Sequence, residues 1–581
     1  SAPCAPVPCF TPETVRSSSM VNVVAATEDS GLEPENSSSE FSEPDSEDSS
    51  ASILGTGWCG SMFCRRKSLK SILEEALRDQ EDGSAKLKLF DLLCIGVGST
   101  IGSGVFVLTG DVLPVAGPSA TLSWLMSGMV CMLSGMAYME LSSRLPTKGS
   151  CYVFSYHGLG ELASVIASVC LTMEYGISAA GVARGWSKRF ASIIGQGDAS
   201  WLFVQYGKED CYLDFFAGLV TAVCTVVLLM GTGMGKVVIN VFTMAKVALV
   251  CFLIIAGFSG GTVDIFASGE TFFPKTFAGT VEGATLLFFG FIGFDEVCCM
   301  AAKADSPSKT MPRALGGTLL GAMFFSGLAQ AALATMVPIG PTSTEGVDFE
   351  HAFAHKGWQF ARWLTGVGEC TLLPLVVLLA LMPQPEVFAA MSEDGLLPSV
   401  FKRKAKNGTY FQGTAIMGAL MTLVAFAVPF SVLWDVISLA VIVGFNLTNA
   451  SLIMVRYENG GRVRNPAVAC SVWTLLASEA AAAYIFWHGF AKQAFAGEAY
   501  DPMLLAAALG FMALSAAICL YIRCQHAMLN DRGAKGVFYA WGVPFTPAIA
   551  IFVNFVLMAQ LTWSSHMFLA LAFLLQFFAY I

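Results

Sequence analysis

Apolar runs of about twenty residues recur along most of the chain, and short polar segments separate them. A run of this length crosses the hydrocarbon core of a bilayer as one α-helix. The pattern therefore predicts an all-α polytopic membrane protein with about 14 transmembrane helices. We number them as spans 1 to 14, at 88–112, 118–142, 160–185, 212–231, 236–258, 280–300, 314–338, 361–391, 412–430, 433–455, 468–488, 503–523, 537–560 and 565–581.

Composition narrows the class of protein further. The 581 residues are 55% hydrophobic and 13% charged, whereas soluble proteins carry about 25% charged residues. A soluble enzyme, a secreted disulfide domain and a disordered scaffold are excluded. The chain lacks a phosphate-cradling loop, an HExxH motif and a basic domain, so we expect no enzyme activity, no cofactor, no metal and no nucleic-acid partner.

The N-terminal region differs in character from the rest. Residues 1–60 contain ten acidic residues and one basic residue, Arg16. This segment therefore carries a net charge of −9, out of −10 for the whole chain. Residues 1–64 are predicted to form a disordered acidic tail, because they cannot bury enough apolar surface to fold. This tail could be a solvated extension or a regulatory segment that is phosphorylated, and the sequence leaves both interpretations open. Residues 65–87 are predicted to form an amphipathic surface helix and a linker.

Basic residues set the expected orientation. With the N-terminus in the cytoplasm, 23 Lys and Arg residues fall on inner segments and seven on outer segments. This bias follows the positive-inside rule. Both termini are therefore expected on the cytoplasmic (insertion) side of the plasma membrane or of an organellar membrane, in contact with lipid.

Two glycine-rich motifs lie in the first and sixth spans. Span 1 reads GVGSTIGSGVFVLTG at 96–110, and span 6 reads LLFFGFIGFDEV at 286–297. Spans 1 and 6 are the first spans of two successive groups of five. The motifs therefore predict inverted repeats at 88–258 and 280–455, followed by four additional spans at 468–581. A helix broken at mid-membrane exposes N–H and C=O groups that need a ligand. Free amides suit a carboxylate and free carbonyls suit an ammonium, so the motifs indicate an α-amino acid substrate.

Six ordered blocks resemble the cationic amino acid transporter family of the amino acid–polyamine–organocation superfamily. They are GVGSTIGSGVFVLTG (96–110), YMELSSRLPTKGSCYVFSY (138–156), MEYGISAAGVARGWS (173–187), FFGFIGFDEV (288–297), MPQPEVFAAMSEDGLLP (382–398) and VPFTPAIAIFVNFVLMAQL (543–561). The resemblance implies a five-plus-five inverted-repeat fold with broken helices 1 and 6. It also implies secondary active transport of amino acids, above all arginine, lysine and ornithine, by alternating access.

The resemblance assigns roles to matching residues. Backbone amides of the first break would bind the substrate carboxylate, and carbonyls around both breaks would bind its amino group. The matching positions are Gly102, Ser103 and Gly104 for the carboxylate and Thr100, Phe289 and Ile292 for the amino group. The residues expected to gate the pocket are Phe288, Phe291, Phe294 and Asp295. A lipid-facing position is the alternative for any single ring.

Two ionisable residues lie in the middle of apolar spans. A charge such as that of Lys246 costs at least about 2.5–3.5 kcal/mol at the bilayer centre, so this side chain should face the protein interior. Lys246 matches the lysine that proton-coupled relatives place where sodium-coupled relatives bind an ion, which implies proton coupling. A structural tether to the carbonyls of span 1 is the alternative. Glu174 in span 3 could bind a proton or a cationic side chain, or make a structural hydrogen bond.

Some positions depart from the family pattern. After span 6, Ala302 and Lys303 stand where two glutamates are usual, and Glu386 replaces a customary arginine. In span 8, bulkier or apolar residues replace small and hydroxyl ones, at Pro374, Val376, Leu379 and Ala380. The lost hydroxyls argue against a sodium ion there. They also raise an alternative function, a transport-inactive structural or accessory subunit with membrane-complex partners, although the intact glycine motifs favour transport.

Overall fold

Helices account for nearly all of the regular structure in the computed structural model. It describes residues 65–81, 86–195, 203–205, 212–230, 235–337, 347–405, 408–457, 466–526 and 537–580. In this part of the chain the strands form one antiparallel pair, β1 (Phe203–Gln205) with β2 (Tyr212–Asp214). The predicted acidic tail at 1–64 lies outside the described residues.

The α-helices follow the apolar pattern closely. Those before residue 275 are α1 (Leu69–Glu81), α2 (Leu89–Ser103), α3 (Thr109–Ala116), α4 (Ala120–Arg144), α5 (Cys151–Gly158), α6 (Glu161–Thr172), α7 (Ser178–Gly195), α8 (Phe215–Met230), α9 (Gly235–Gly260) and α10 (Gly269–Phe272). Those after it are α11 (Thr276–Leu287), α12 (Glu296–Cys299), α13 (Pro307–Met336), α14 (Phe349–His355), α15 (Gln359–Leu381), α16 (Gln384–Glu393), α17 (Phe411–Ala427), α18 (Phe430–Tyr457), α19 (Pro466–Phe486), α20 (Lys492–Ala496), α21 (Pro502–Gln525), α22 (Phe545–Met558) and α23 (Trp563–Tyr580).

Short π- and 3₁₀-helices join several of these helices into longer spans. The π-helices are Gly104–Leu108, Met173–Ile177 and Trp487–Ala491. The 3₁₀-helices are Gly117–Ser119, Phe288–Phe291 and Ala301–Lys303. Span 1 thus contains α2 and α3, span 3 contains α6 and α7, span 6 contains α11 and α12, and span 8 contains α15 with α16.

The fold class is all-α and polytopic, as predicted. In the described residues, ten helical segments are long and apolar enough to cross a membrane, or eleven if the bent pair α22–α23 counts as one. That pair bends by 116°, and the helices of spans 4 and 9, α8 and α17, are shorter than a full crossing. The number fourteen and the inverted repeats therefore stay predictions.

Burial separates central spans from peripheral ones. The apolar window of α18 is 94% buried within the protein, whereas that of α21 is 22% buried. Span 10 therefore lies at the centre of the bundle, and span 12 presents most of its apolar surface to lipid. Spans 1 and 6 also lie inside, because the windows containing them are 71% and 72% buried.

The N-terminal helix α1 packs on one end of this bundle. Its apolar residues Ile72 and Ala76 are buried. The following segment binds the residues after span 6, since Leu87 N donates to Lys303 O at 2.9 Å and Asp305 N donates to Leu87 O at 2.8 Å. This is the end predicted to face the cytoplasm, and we call it the inner end; the opposite end is the outer end.

Candidate functional site

The glycine motif of span 1 is helical throughout. Helix α2 runs to Ser103, and a five-residue π-helix, Gly104–Leu108, connects it to α3. The α-helix of span 1 is therefore interrupted at the predicted motif, but by a π-helix and not by an unwound segment. A π-helix admits an extra residue per turn without abandoning backbone pairing. The hydroxyl of Thr109 adds a donor to this segment, at 2.6 Å from Val105 O.

The glycine motif of span 6 is broken, as predicted. After the 3₁₀-helix Phe288–Phe291, Ile292 is extended with ψ of 140°, and Gly293 has φ of +106°. A Cβ on Gly293 would lie 2.6 Å from Ser99 Cβ. Gly293 is therefore required both by its left-handed backbone and by the approach of span 1.

Spans 1 and 6 touch each other through glycines. A Cβ on Gly104 would lie 3.1 Å from Gly290 O, and one on Gly290 would lie 2.5 Å from Trp124 Cη2. The Trp124 indole covers this crossing, and its Nε1 donates to Gln330 Oε1 at 3.2 Å. Gln330 Nε2 in turn donates to Thr109 O at 3.3 Å. The two motifs are thus packed directly against each other.

The positions expected to bind the substrate head group are divided between two faces of span 1. Gly104 faces Gly290 of span 6, whereas Gly102 faces Val376 of span 8, which a Cβ at Gly102 would overlap. The Thr100 hydroxyl is buried and donates to Gly96 O at 2.9 Å. Ser103 ends α2. The amides of 102–104 therefore belong to a continuous helical segment here.

On the span-6 side, the expected carbonyls are partly in use. Phe289 O accepts a hydrogen bond from Ile292 N at 3.0 Å, which closes the 3₁₀ turn. Both residues are buried. The structure thus brings Phe289 and Ile292 next to the Gly104 face of span 1, within the closed crossing.

The three rings expected to gate the pocket are all buried, so a lipid-facing position is excluded for them. Phe291 packs edge-on against Trp124, with ring centroids 5.5 Å apart. Phe294 contacts Tyr138 at 5.5 Å and Phe445 at 5.4 Å, and Phe288 contacts Phe445 at 5.6 Å. The ring of Phe445, on span 10, therefore joins Phe288 and Phe294 into one group.

Lys246 is fully buried, as its position in span 5 predicts. Its Nζ donates to Gly98 O at 2.6 Å and lies 3.3 Å from the place a Cβ at Gly102 would occupy. This geometry matches the tether alternative. A second polar side chain of the same helix, Thr243, donates to Cys94 O at 3.0 Å, so span 5 binds span 1 through two of its carbonyls.

Buried carboxyl groups gather at the break of span 6. Glu174 and Asp295 lie within hydrogen-bonding reach of each other, and Tyr175 Oη donates to Asp295 Oδ2 at 2.8 Å. Glu296 Oε2 accepts from Ser99 Oγ at 2.5 Å. Lys246 is close enough to Glu296 for a Coulombic attraction. Three carboxyl groups and one lysine thus share the interior beside the two glycine motifs.

Two of the unusual residues of span 8, Val376 and Leu379, pack on the same face of span 1 as Lys246. Leu379 Cδ1 lies 3.1 Å from the place a Cβ at Gly98 would occupy, beside Val376. Pro374 has no N–H to donate to Cys370 O, and the indole Nε1 of Trp186 donates to this carbonyl instead, at 2.8 Å. Apolar side chains therefore stand where hydroxyl ligands would be needed for a sodium ion.

An arginine holds the outer end together. Arg189 forms ion pairs with Asp348 and with Glu369, the latter at 3.1 Å. Its Nη2 also donates to Phe106 O of the π-helix at 3.1 Å. Burial alone would raise the pKa of Asp348, but the hydrogen bond with His351 and the Arg189 guanidinium hold this pKa well below its usual range. Asp348 is therefore a stable anion that anchors Arg189.

At the inner end, Glu140 joins spans 2 and 10 to the start of span 13, just before helix α22. It accepts from Arg144 Nε at 2.9 Å, from Arg456 Nε at 2.5 Å and from Ala540 N at 2.7 Å. The ring of Tyr539 lies 5.0 Å from Arg144 Cζ and 4.8 Å from Arg456 Cζ. Two arginines and one backbone amide therefore hold the buried Glu140 carboxylate at the inner end.

Two of the departures from the family pattern turn out to be partners. Lys303 Nζ and Glu386 Oε1 form an ion pair at 2.7 Å. The positive charge after span 6 and the negative charge after span 8 therefore compensate each other. Lys303 and Glu386 are 83 positions apart in the chain, so a single sequence could not reveal that they form a pair.

Several residues of the site were not predicted. Gln330 and Arg189 had a signal, because each is a polar residue within or next to an apolar span. Trp124 and Phe445 had none, since aromatic residues are common throughout the spans and only the packing of the helices brings these two to the glycine crossing.

Comparisons with known proteins agree with this architecture. Residues 87–577 match the model of a family described as amino acid permease. The chain is similar to the chloroplastic cationic amino acid transporter 9 of Arabidopsis thaliana, with 29% identity over 83% of this chain and 84% of that protein. It is 31% identical to the mitochondrial cationic amino acid transporter 3 of the same plant, over 67% of each. It is 27% identical to cationic amino acid transporter 4 of Mus musculus, over 71% of this chain and 66% of that protein.

Proposed function

Because the chain belongs to the amino acid permease family, we propose that it carries cationic amino acids across its membrane by alternating access. The family consists of multi-pass membrane transporters of amino acids and is not a class of enzymes. Arginine, lysine and ornithine are the proposed substrates. The names of three similar proteins place them in the chloroplast, the mitochondrion and the vacuole. For this chain we propose the plasma membrane or an organellar membrane.

The observation that carries the cationic preference is the charge balance of the buried site. Glu174, Asp295 and Glu296 place three carboxyl groups beside one ammonium, that of Lys246. Buried carboxylates as close as Glu174 and Asp295 repel each other unless a proton or a cation lies between them. A cationic side chain supplies that charge, whereas the side chain of leucine does not.

Binding of the α-amino and carboxylate groups requires a change at the glycine crossing. In this closed arrangement the amides of Gly102, Ser103 and Gly104 are part of the helical segment. We propose that opening the π-helix frees these amides for the carboxylate and the carbonyls of Thr100, Phe289 and Ile292 for the amino group. The aromatic rings Phe288, Phe291 and Phe294, with Asp295, would then open and close the pocket.

Proton coupling is proposed through Lys246 and Glu174. A charged Lys246 holds Gly98 O, and a neutral Lys246 would hold it less strongly, because hydrogen bonds from charged donors are stronger. Loss of a proton would therefore loosen span 1 from span 5. Glu174, paired with Asp295, is positioned to take up a proton when the cationic side chain leaves.

The test is uptake of labelled arginine, lysine and leucine into liposomes that hold the purified protein, with and without an inward proton gradient. We expect saturable arginine and lysine uptake that the gradient increases. Glu174→Gln and Asp295→Asn should each lower arginine uptake about tenfold or more, because each removes a carboxylate that would bind the cationic side chain. Glu282→Gln, at an exposed position of α11, is the matched control and should leave uptake unchanged.

Two outcomes would contradict the proposal. Leucine uptake that equals arginine uptake would show that the carboxyl groups do not select the side chain. No uptake of any amino acid by protein shown to be folded would favour the alternative of a transport-inactive subunit. In that case Val376→Ser, which reduces apolar packing on Gly102, is the first variant to examine for restored uptake.

A further inference from the structure

Helix α16 and the residue that follows it carry a row of acidic side chains at the inner end. Each of them is paired with a lysine, and each lysine comes from a different part of the chain. The pairs are Glu386–Lys303 at 2.7 Å, Glu393–Lys148 at 2.9 Å and Asp394–Lys67 at 2.8 Å. One short helix is thus attached to the exit of span 6, to the segment after span 2 and to the N-terminal arm, defined as residues 65–81.

The pair with the N-terminal arm is the most enclosed. The Lys67 side chain is 4% exposed, and it contacts Glu75 at 2.7 Å as well as Asp394. Asp394 also accepts from Tyr152 Oη at 2.8 Å. The arm is held by its backbone too, because His157 Nδ1 lies 2.9 Å from Lys67 O. Removing one partner of such an enclosed pair leaves a buried charge without compensation, which is costly.

The matched region of the family begins at residue 87, so the arm lies outside it. The inner end of span 6 continues into the 3₁₀-helix Ala301–Lys303, which helix α1 contacts and whose Lys303 pairs with Glu386 of α16. Cys298 and Cys299 of α12 are buried there, four residues or fewer after Asp295. Cys299 Sγ lies 3.5 Å from Tyr175 Oη, which also binds Asp295. These two thiols therefore report on access from the inner end to the candidate site.

We propose that α16 closes the inner path to the site and that Lys67 is one of three lysines that hold it closed. Opening toward the inner end then requires the N-terminal arm to release Asp394. Lys67 is a positioning residue, because it acts through α16 and does not contact the substrate. The inference rests on the proposed transport cycle, which requires the site to open to this side.

The test measures how fast a hydrophilic maleimide labels Cys298 and Cys299 in the full chain. The protein is reconstituted in nanodiscs, which expose both faces, and labelled peptides are quantified by mass spectrometry. Lys67→Gln should label about tenfold faster or more than the unchanged chain, because breaking an enclosed ion pair costs more than losing an exposed one. Lys70→Gln, at an exposed position of the same N-terminal arm, is the matched control. Asp394→Asn, which removes the charge partner of Lys67 and keeps an acceptor for Tyr152 Oη, should also label faster.

Equal labelling of Lys67→Gln and Lys70→Gln would overturn the proposal, as would an Asp394→Asn chain that labels as slowly as the unchanged one. Faster labelling of Cys131 and Cys170, which are buried in spans 2 and 3, would also overturn it, because it would indicate general loosening. If Lys67→Gln does not fold, Lys303→Gln provides the same measurement at a more exposed pair. Labelling needs no transported substrate, so a chain that fails to transport amino acids still tests the gate.

Discussion

The glycine motifs of spans 1 and 6 look alike in sequence but differ in structure. Span 6 leaves the helix at Ile292 and turns through Gly293 in a left-handed conformation. Span 1 keeps its helix and only widens into a π-helix at Gly104–Leu108. The difference lies in the surroundings. Side chains of Lys246, Thr243 and Arg189 bind carbonyls of span 1, whereas carboxyl groups gather around the break of span 6.

This comparison shows two ways for a membrane helix to be interrupted. A turn through a left-handed glycine depends on the absence of a side chain. A π-helix reinforced by neighbouring donors depends on the presence of side chains, because polar groups inside a membrane must be satisfied within the protein. In span 6, adding a side chain to a glycine should therefore destabilise the protein. Around the π-helix of span 1, removing a donor side chain should destabilise it.

The largest effect is expected from Gly293→Ala. The alanine would meet Ser99 and would also have to adopt a left-handed backbone. Strain and overpacking together should reduce the free energy of unfolding by about 2–5 kcal/mol, measured by denaturation in detergent. Gly357→Ala is the control for backbone strain alone, because Gly357 has φ of +73° and open space around it. Gly327→Ala is the control with neither strain nor a clash, because Gly327 lies in a helix with open space around it. If all three were equally stable, the break would not depend on this glycine.

A smaller effect is expected at the crossing of the two spans. Gly290→Ala should cost about 1–3 kcal/mol, because its Cβ would overlap the buried ring of Trp124. Gly104→Ala should cost less, since its nearest contacts are longer. Thermal unfolding of both variants would show which of the two loses more stability. Adding Trp124→Phe should recover more of the loss at Gly290 than at Gly104, because a Cβ at Gly104 would still meet the Gly290 backbone at 3.1 Å; the reverse order would place the clash elsewhere.

On the span-1 side, Gln330→Leu should reduce the free energy of unfolding by about 1–2 kcal/mol. It would leave Trp124 Nε1 and Thr109 O without their buried partner. Gln330→Glu, which keeps an acceptor for Trp124 but has no amide donor for Thr109 O, should separate the two bonds. A Gln330→Leu protein as stable as the unchanged chain would mean that these hydrogen bonds do not support the π-helix.

The smallest effect is expected from Thr109→Val, which removes the hydroxyl bound to Val105 O and keeps the shape. One neutral hydrogen bond corresponds to about 1 kcal/mol. Thr109→Ser retains the hydroxyl and should stay close to the unchanged chain in the same unfolding measurement. A serine variant as unstable as the valine variant would assign the role of Thr109 to its methyl group.

The positions of the helices could be predicted from sequence because hydrophobic length is a local property. The break of span 6 was also predictable, since Gly290 and Gly293 lie close together in an aromatic run. The burial of Lys246 followed from the cost of a charge in lipid. The state of span 1 was not predictable, because the donors that bind its carbonyls come from spans 3 and 5, more than 80 residues away.

The sequence by itself determined an all-α membrane protein, the approximate limits of its spans and the candidate residues at both glycine motifs. Local hydrophobicity and the intolerance of lipid for unpaired polar groups are sufficient for that. Only the tertiary structure decided which motif unwinds, that Lys303 meets Glu386 and that Lys67 reaches Asp394. These outcomes depend on distances between residues far apart in the chain, and packing of the helices alone sets those distances.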